Sequence, residues 1–301
     1  MFVKFSAPIL LASLLACAPA VPPAAATAGD AFAPAALAQA CEGRYGWSDP
    51  APPAHLFGNT WMVGTCGITV VLITSDQGHV LIDSGPDDAA PLVAANIARL
   101  GYRIADVKLI LSSHEHHDHV GGMAELQRLS GAGMAALAAA APVLASGKSA
   151  SGDPQHVSNP DMAPITVTRV LRDEEQVDVG TISLTAYATP THSPGSTSWA
   201  WTSCDGADCR TITYADSNST LSSGDYQFTD HPERIQGANA GLERIAGLPC
   251  GILITPHPGS SDMFGRFTSG ALMDDPAACK AYAARGKARF DERLASEAAP
   301  K

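Results

Sequence analysis

The chain has 301 residues, 46% of them hydrophobic and 16% charged, with a formal net charge of −11 at pH 7. That length is enough to fill one large core or two small ones. The acidic balance excludes a nucleic-acid backbone as the main partner, because phosphate contacts need a basic surface.

Met1 to about Ala28 reads as a secretory leader, with Lys4 as a weak positive start and Ala7–Ala18 as a short apolar core. Small residues at Ala24–Ala28 and at Ala38-Gln39-Ala40 each offer a cleavage site. The apolar core is too short to span a bilayer. Leu14-Leu15-Ala16-Cys17 also has the form of a lipobox, which would leave a lipid anchor on Cys17. The expectation is an exported, periplasmic protein, with a leader over 1–28 and a single domain over 29–301. Without Cys17, six cysteines remain, an even count that suits disulfides outside the cytoplasm. Cys204 and Cys209 flank a turn, Asp205-Gly206-Ala207-Asp208, where pairing is easy. Cys41–Cys66 and Cys250–Cys279 are the pairs favoured for the rest, although spacing alone does not fix connectivity. None has Cys-x-x-Cys spacing.

Residues 30–53 are rich in Ala and Pro and are expected to be irregular. Strand-like runs follow at Thr60–Gly64, Thr69–Thr74 and His79–Asp83. Apolar spacing then predicts a helix over Asp88–Leu100, closed by Gly101. Val107–Leu111 reads as a buried strand, Gly121–Leu129 as the start of a helix, and Ser149–Pro164 as a polar loop. In the second half, strands are expected at Ile165–Leu171, Gln176–Val179, Thr181–Ala188, Thr197–Thr202, Thr211–Tyr214 and Gly251–Thr255. Helices are expected over Arg234–Ala246 and Pro276–Glu297. Strands bunched early in each half, with helices after them, suggest two packed sheets covered by helices on their outer faces.

The chemistry concentrates directly after the Val107–Leu111 strand, in Ser113-His114-Glu115-His116-His117-Asp118-His119. Imidazole nitrogens and a carboxylate are what a borderline-soft cation such as Zn²⁺ binds. His114 and His116 alternate along an extended segment and so point to one side, while Asp118 and His119 can turn towards a neighbouring ion. The cluster cannot complete two sites alone. His192, in Thr189-Pro190-Thr191-His192-Ser193-Pro194-Gly195, and His257, in Thr255-Pro256-His257-Pro258-Gly259, both follow strand-like runs and are the distant candidates.

His114-x-His116-x-Asp118-His119, together with His192 and His257, resembles the metallo-β-lactamase superfamily. Supporting pieces are Gly58-Asn59-Thr60-Trp61, Leu81-Ile82-Asp83-Ser84-Gly85, Tyr214-Ala215-Asp216-Ser217 and Pro256-His257-Pro258-Gly259. Ser217, standing where other lactamases have a ligand cysteine, points to the third subclass. The resemblance implies an α/β fold of the αββα sandwich type, with two mixed sheets between outer helices. It implies two Zn²⁺, the first held by His114, His116 and His192, the second by Asp118, His119 and His257. It also implies that Asp118 orients a hydroxide shared by the zincs, and that this hydroxide opens the amide of a small β-lactam such as a penicillin, cephalosporin or carbapenem.

The residues around the motif are read alongside it. Glu115 and His117 fall at its variable positions and are taken as non-ligands. Ser217 and Ser219 match positions that contact the substrate carboxylate in the family. Trp47 and His156 are candidates for the cleft wall, and Asp83 for a supporting acid. Other superfamily members, glyoxalase II-like thioesterases and lactonases among them, use an aspartate that bridges both metals. Asp216 stands at about that place, so the rival hydrolase reading turns on where Asp216 points.

Overall fold

A computed structural model describes residues 1–2, 32–269 and 274–299. The expected leader, with Cys17, therefore falls outside the described residues apart from Met1 and Phe2. Among the described residues no helix is long and apolar enough to cross a membrane.

Seven strands form the first sheet, in chain order: β1 (Ala54–Phe57), β2 (Thr60–Met62), β3 (Val71–Ile73), β4 (His79–Ile82), β5 (Val107–Leu111), β6 (Gly133–Leu137) and β7 (Arg169–Leu171). The pairs from β1 to β4 are antiparallel, and those from β4 to β7 are parallel. The second sheet runs β12 (Ile252–Ile254), β11 (Asp208–Tyr214), β10 (Thr197–Asp205), β9 (Ile182–Ala188), β8 (Gln176–Val179). Only its β11–β12 pair is parallel. Val71, Ile73, Val80, Ile82 and Leu111 meet Leu184, Trp199, Trp201, Ile212 and Tyr214 in the core between the sheets. The opposite face of the first sheet, with Leu72, Leu81, Ile110 and Met134, is covered by Val93 and Ile97 of α2 (Ala90–Arg99), Met123 and Leu126 of α4 (Met123–Ser130), and Leu144 of α5 (Ala141–Ser146). On the second sheet, Leu253 packs under Ile245 of α6 (Pro232–Ala246) and Tyr282 of α8 (Ala278–Glu297). Two mixed sheets between helical layers are the αββα sandwich expected from the sequence.

The stretch expected to be irregular, 30–53, contains a helix, α1 (Pro34–Ala40), with Leu37 and Ala38 buried. Proline suits its first turn, where the missing N–H would have no partner in any case. The three cysteine pairs favoured from the sequence are the bonded ones: Cys41–Cys66, Cys204–Cys209 and Cys250–Cys279. Cys204 and Cys209 face each other across the β10–β11 hairpin, whose turn needs the left-handed conformation that Gly206 supplies at φ +59°.

The two sheets are joined by polar contacts near the ends of β5, β10 and β11. Trp199 Nε1 donates to Ser112 O at 2.9 Å, and Thr197 N donates to Ser113 O at 2.6 Å. The Tyr214 hydroxyl donates to Asp83 Oδ2 at 2.6 Å. The loops that leave β5, β9, β11 and β12 near these contacts carry the motif residues.

Candidate metal centre

β5 ends at Leu111, and the chain then runs through Ser113 to a one-turn helix, α3 (His117–Val120). Asp83 fixes this exit. Its Oδ1 accepts from Ser113 N at 2.6 Å, and its Oδ2 accepts from Ser113 Oγ at 2.7 Å. Asp83 itself lies at φ 65°, a conformation uncommon for a non-glycine residue, of the kind that persists only where surroundings hold it. The turn of α3, with His119 N donating to His116 O at 2.9 Å, swings Asp118 and His119 back towards His114.

All six expected ligands come together. The ligand atoms of His114, His116 and His192 lie within 4.8 Å of one another, as do those of His114, Asp118 and His119. His257 completes the second group: its Nε2 is 3.2 Å from His119 Nε2 and 3.4 Å from Asp118 Oδ2. His119 Nε2 is 3.3 Å from Asp118 Oδ2.

Every one of the five rings is held from behind through its other nitrogen. His114 Nδ1 bonds Asp216 Oδ1 at 2.8 Å, His116 Nε2 bonds Asp153 Oδ2 at 2.7 Å, and His119 Nδ1 bonds Asp83 Oδ2 at 3.1 Å. His192 Nδ1 reaches Ser219 O at 2.9 Å, and His257 Nδ1 reaches Gly67 O at 3.1 Å. Such partners fix tautomer and ring orientation and make the free nitrogen more basic, which is what a metal-binding imidazole requires. The free nitrogen of His114, Nε2, is buried and finds no hydrogen-bond partner. An unpaired buried donor or acceptor costs about 1–3 kcal/mol, and a cation supplies the missing partner. The donor set therefore fits divalent metal, with His, His, His on one side and Asp, His, His on the other.

Burial shapes the charges. It drives His114 and His192 well below their ordinary value, so both rings are neutral. Burial also lowers His257, helped by the charge of His119. His119 goes the other way: burial opposes its protonation, but the carboxylates of Asp118 and Asp83 raise it to about 10. Asp118 is correspondingly held well below the usual carboxylate range, against its own burial, by His119. At His116 burial is again overcome, by the bond and charge of Asp153. Asp216 is raised to about 6 by burial.

The residues expected not to bind metal turn away from it. Glu115 bonds Ser193 and Gly195, while His117 Nε2 lies 3.5 Å from Asp87 Oδ1. Trp47, 54% exposed, stands with its ring 6.3 Å from that of His257 and lines a cleft with His116, Asp118 and Gln155. Ser217 is buried beside Asp216. Ser219 places its hydroxyl 3.0 Å from His192 Nδ1, so its side chain supports a ligand ring. His156 is exposed and its ring turns back on the carbonyl of Asp153. Its neighbour Gln155 faces the centre instead, with Nε2 3.2 Å from His192 Nε2. Sequence reasoning missed Asp153 and Gln155, which sit in a loop without periodicity. Their one signal was position: a Pro-flanked Asp and Gln three residues and one residue before His156. Larger hollows lie elsewhere, about 600 Å³ between α6 and α8 and about 510 Å³ beside β4, but neither gathers imidazoles.

The sequence model of the metallo-beta-lactamase superfamily matches residues 63–265. Among solved structures, the metallo-beta-lactamase MIM-1 from Novosphingobium pentaromativorans is 55% identical, covers 87% of this chain and 98% of its own, and superposes with a TM-score of 0.85. MEM-A1, a subclass B3 metallo-beta-lactamase from a soil metagenome library, is 40% identical over 85% of this chain and all of its own (TM-score 0.81). BJP-1, a subclass B3 enzyme of Bradyrhizobium japonicum, is 31% identical over 83% of this chain and 96% of its own (TM-score 0.76). A hydroxyacylglutathione hydrolase of Pseudomonas paraeruginosa is 51% identical over 47 residues, 16% of this chain and 17% of that protein. The chain thus aligns with less than a fifth of the length of the curated relatives it matches.

Proposed function

Because the chain belongs to the metallo-beta-lactamase superfamily, we propose that it is a hydrolase that opens the amide of β-lactams with two bound Zn²⁺. His114, His116 and His192 would hold one ion, and Asp118, His119 and His257 the other. When bound, such a pair of zincs polarises a carbonyl oxygen and lowers the pKa of water to near neutrality. The observation that carries the reading is the set of five rings, each pinned through one nitrogen and aiming the other into a shared space.

The chain's own residues then have defined tasks. Asp118, a carboxylate held ionised beside His119, would accept a hydrogen bond from a water and so orient it for attack. Gln155 and Trp47 form the wall against which a small ring can lie. Ser217 and Ser219 are the proposed contacts to the substrate carboxylate, and for this Ser219 would turn its hydroxyl from His192 Nδ1, which its carbonyl continues to hold. Export to the periplasm, with the leader removed or Cys17 lipidated, is part of the same proposal, and three disulfides in the described chain support it.

The rival reading is a glyoxalase II-like thioesterase or a lactonase, supported by the short match to hydroxyacylglutathione hydrolase. It needs Asp216 as a bridge between metals. Asp216 instead spends Oδ1 on the back of the His114 ring, which favours the lactamase. Nitrocefin turnover by purified, zinc-loaded protein, abolished by a chelator and restored by zinc, is the expected result. Turnover of S-lactoylglutathione with nitrocefin left intact would select the thioesterase.

A further inference from the structure

His192 is the one first-group ligand that does not come from the motif loop, so something must hold its loop against His114 and His116. Two buried charged side chains do so from opposite sides. Glu115, 2% exposed, lies between His114 and His116 and points into the His192 loop. Its Oε2 accepts from Ser193 Oγ at 2.7 Å, and its Oε1 accepts from Gly195 N at 2.8 Å. A side chain at Gly195 would put its Cβ 2.5 Å from Glu115 Oε2 and 2.7 Å from the Ala140 backbone, so the approach is possible only at glycine. From the far side Arg234 of α6, 8% exposed, donates to Pro190 O at 3.4 Å and to Thr191 O at 3.3 Å. Gly241, two turns further along the same face of α6, lets the helix settle on the same segment: a Cβ there would sit 2.6 Å from Thr191 N and 2.9 Å from Pro190 N. Thr191 Oγ1 adds a 3.4 Å bond to Ala238 O.

We propose that Glu115 and Arg234 are positioning residues for the first metal: they grip residues 190–195 on both sides and thereby set where His192 Nε2 lies relative to His114 and His116. The inference rests on the reading of the six residues as a metal centre. Glu115 bonds neither a ligand ring nor the cleft. Its carboxylate is filled by the loop alone, and so a buried acid placed inside the ligand motif has no other partner among the bonds described. Supporting residues of this kind typically change metal affinity by about 10–100-fold.

The test titrates Co²⁺ and Zn²⁺ against a competing chelator in wild type, Glu115→Ala, Glu115→Gln, Ser193→Ala and Arg234→Lys, following the visible absorption of bound Co²⁺. Glu115→Ala should weaken one of two sites by about 10–100-fold and shift its absorption, with the other site unchanged. Glu115→Gln keeps one acceptor and the volume, and should recover part of the loss. Ser193→Ala and Arg234→Lys, milder changes that leave the fold intact, should each cost a smaller factor at the same site. Wild-type affinity and spectrum at both sites in Glu115→Gln, Ser193→Ala and Arg234→Lys would overturn the inference, whether or not Glu115→Ala folds. Equal weakening of both sites would do the same. A wild type that binds neither ion would instead overturn the metal-centre reading itself.

Discussion

The His114–His116–His192 half of the centre and the Asp118–His119–His257 half both rely on imidazoles but hold charge differently. In the first, burial leaves His114 and His192 neutral, and the carboxylates stand behind the rings, at Asp216 and Asp153. In the second, a carboxylate faces inward: Asp118 pairs with His119 and raises it to about 10. Exposure differs too, since the His114 side chain is fully buried while that of His257 is 29% exposed beside Trp47. In the first half His114 and His192 are nitrogens ready for a cation and only His116, beside Asp153, is raised, whereas in the second His119, raised to about 10, must surrender a proton before it can accept one.

The sharpest way to break that comparison is to remove one ring from each half. His192→Ala should abolish the first metal and lower turnover by more than about 100-fold, since losing a ligand exceeds the 10–100-fold cost of losing its support. His257→Ala should remove only the second metal. Metal content should fall to about one ion per chain in each, and the visible absorption of Co²⁺ at the site that remains separates the two; identical Co²⁺ spectra in both variants would erase the distinction.

Disulfide removal probes the same contrast through stability. Cys41 and Cys66 are 25 residues apart and Cys204 and Cys209 are 5 apart. Chain entropy alone then gives losses of about 3.5 and about 2 kcal/mol. Cys41–Cys66 also ties the Trp47 segment to the loop whose Gly67 carbonyl holds His257. Its double serine variant should weaken the second metal as well as lower the melting temperature, while the Cys204–Cys209 variant lowers the melting temperature only.

Acid separates the halves by a smaller factor. In chelator-stripped protein the raised His119 stabilises the fold through its charged form, fully below its unfolded value near 6.5 and progressively less as pH rises through about 10. Metal must displace that proton. Affinity of the second site should therefore fall about tenfold per pH unit as pH drops below about 10, with proton release seen by calorimetry in buffers of different ionisation heat. Release confined to the first site would contradict the account. The smallest effect is expected from Trp47→Ala. It should raise KM several-fold, about 1 kcal/mol of lost aromatic contact, with stability unchanged in a melt.

The ligand set was legible because all six members carry local signals: four motif residues at fixed spacing, and two histidines directly after strand-like runs beside proline and glycine. Most of their supports were not, Asp83 behind His119 being the exception. Two of them are backbone carbonyls, at Gly67 and Ser219, which carry no sequence signature, and Asp153 reaches His116 from a loop without periodicity. The same physics divides the fold. Strands rich in Val, Ile and Leu, such as β4 and β5, announce themselves. β6, Gly133-Met134-Ala135-Ala136-Leu137, has little β preference and is a strand because neighbours on both sides pair with it. β1 follows Pro52-Pro53 and is only four residues long, and α1, α5 and α7 (Met263–Thr268) are too short to show a clear period.

The most direct test of the account is the zinc content of folded wild-type protein after dialysis against metal-free buffer at neutral pH, measured by elemental analysis alongside turnover of a chromogenic cephalosporin. Two inward-facing donor groups predict about two zinc ions per chain, with hydrolysis lost and regained as they are stripped and restored. A folded chain that retains no zinc and takes none up would contradict it.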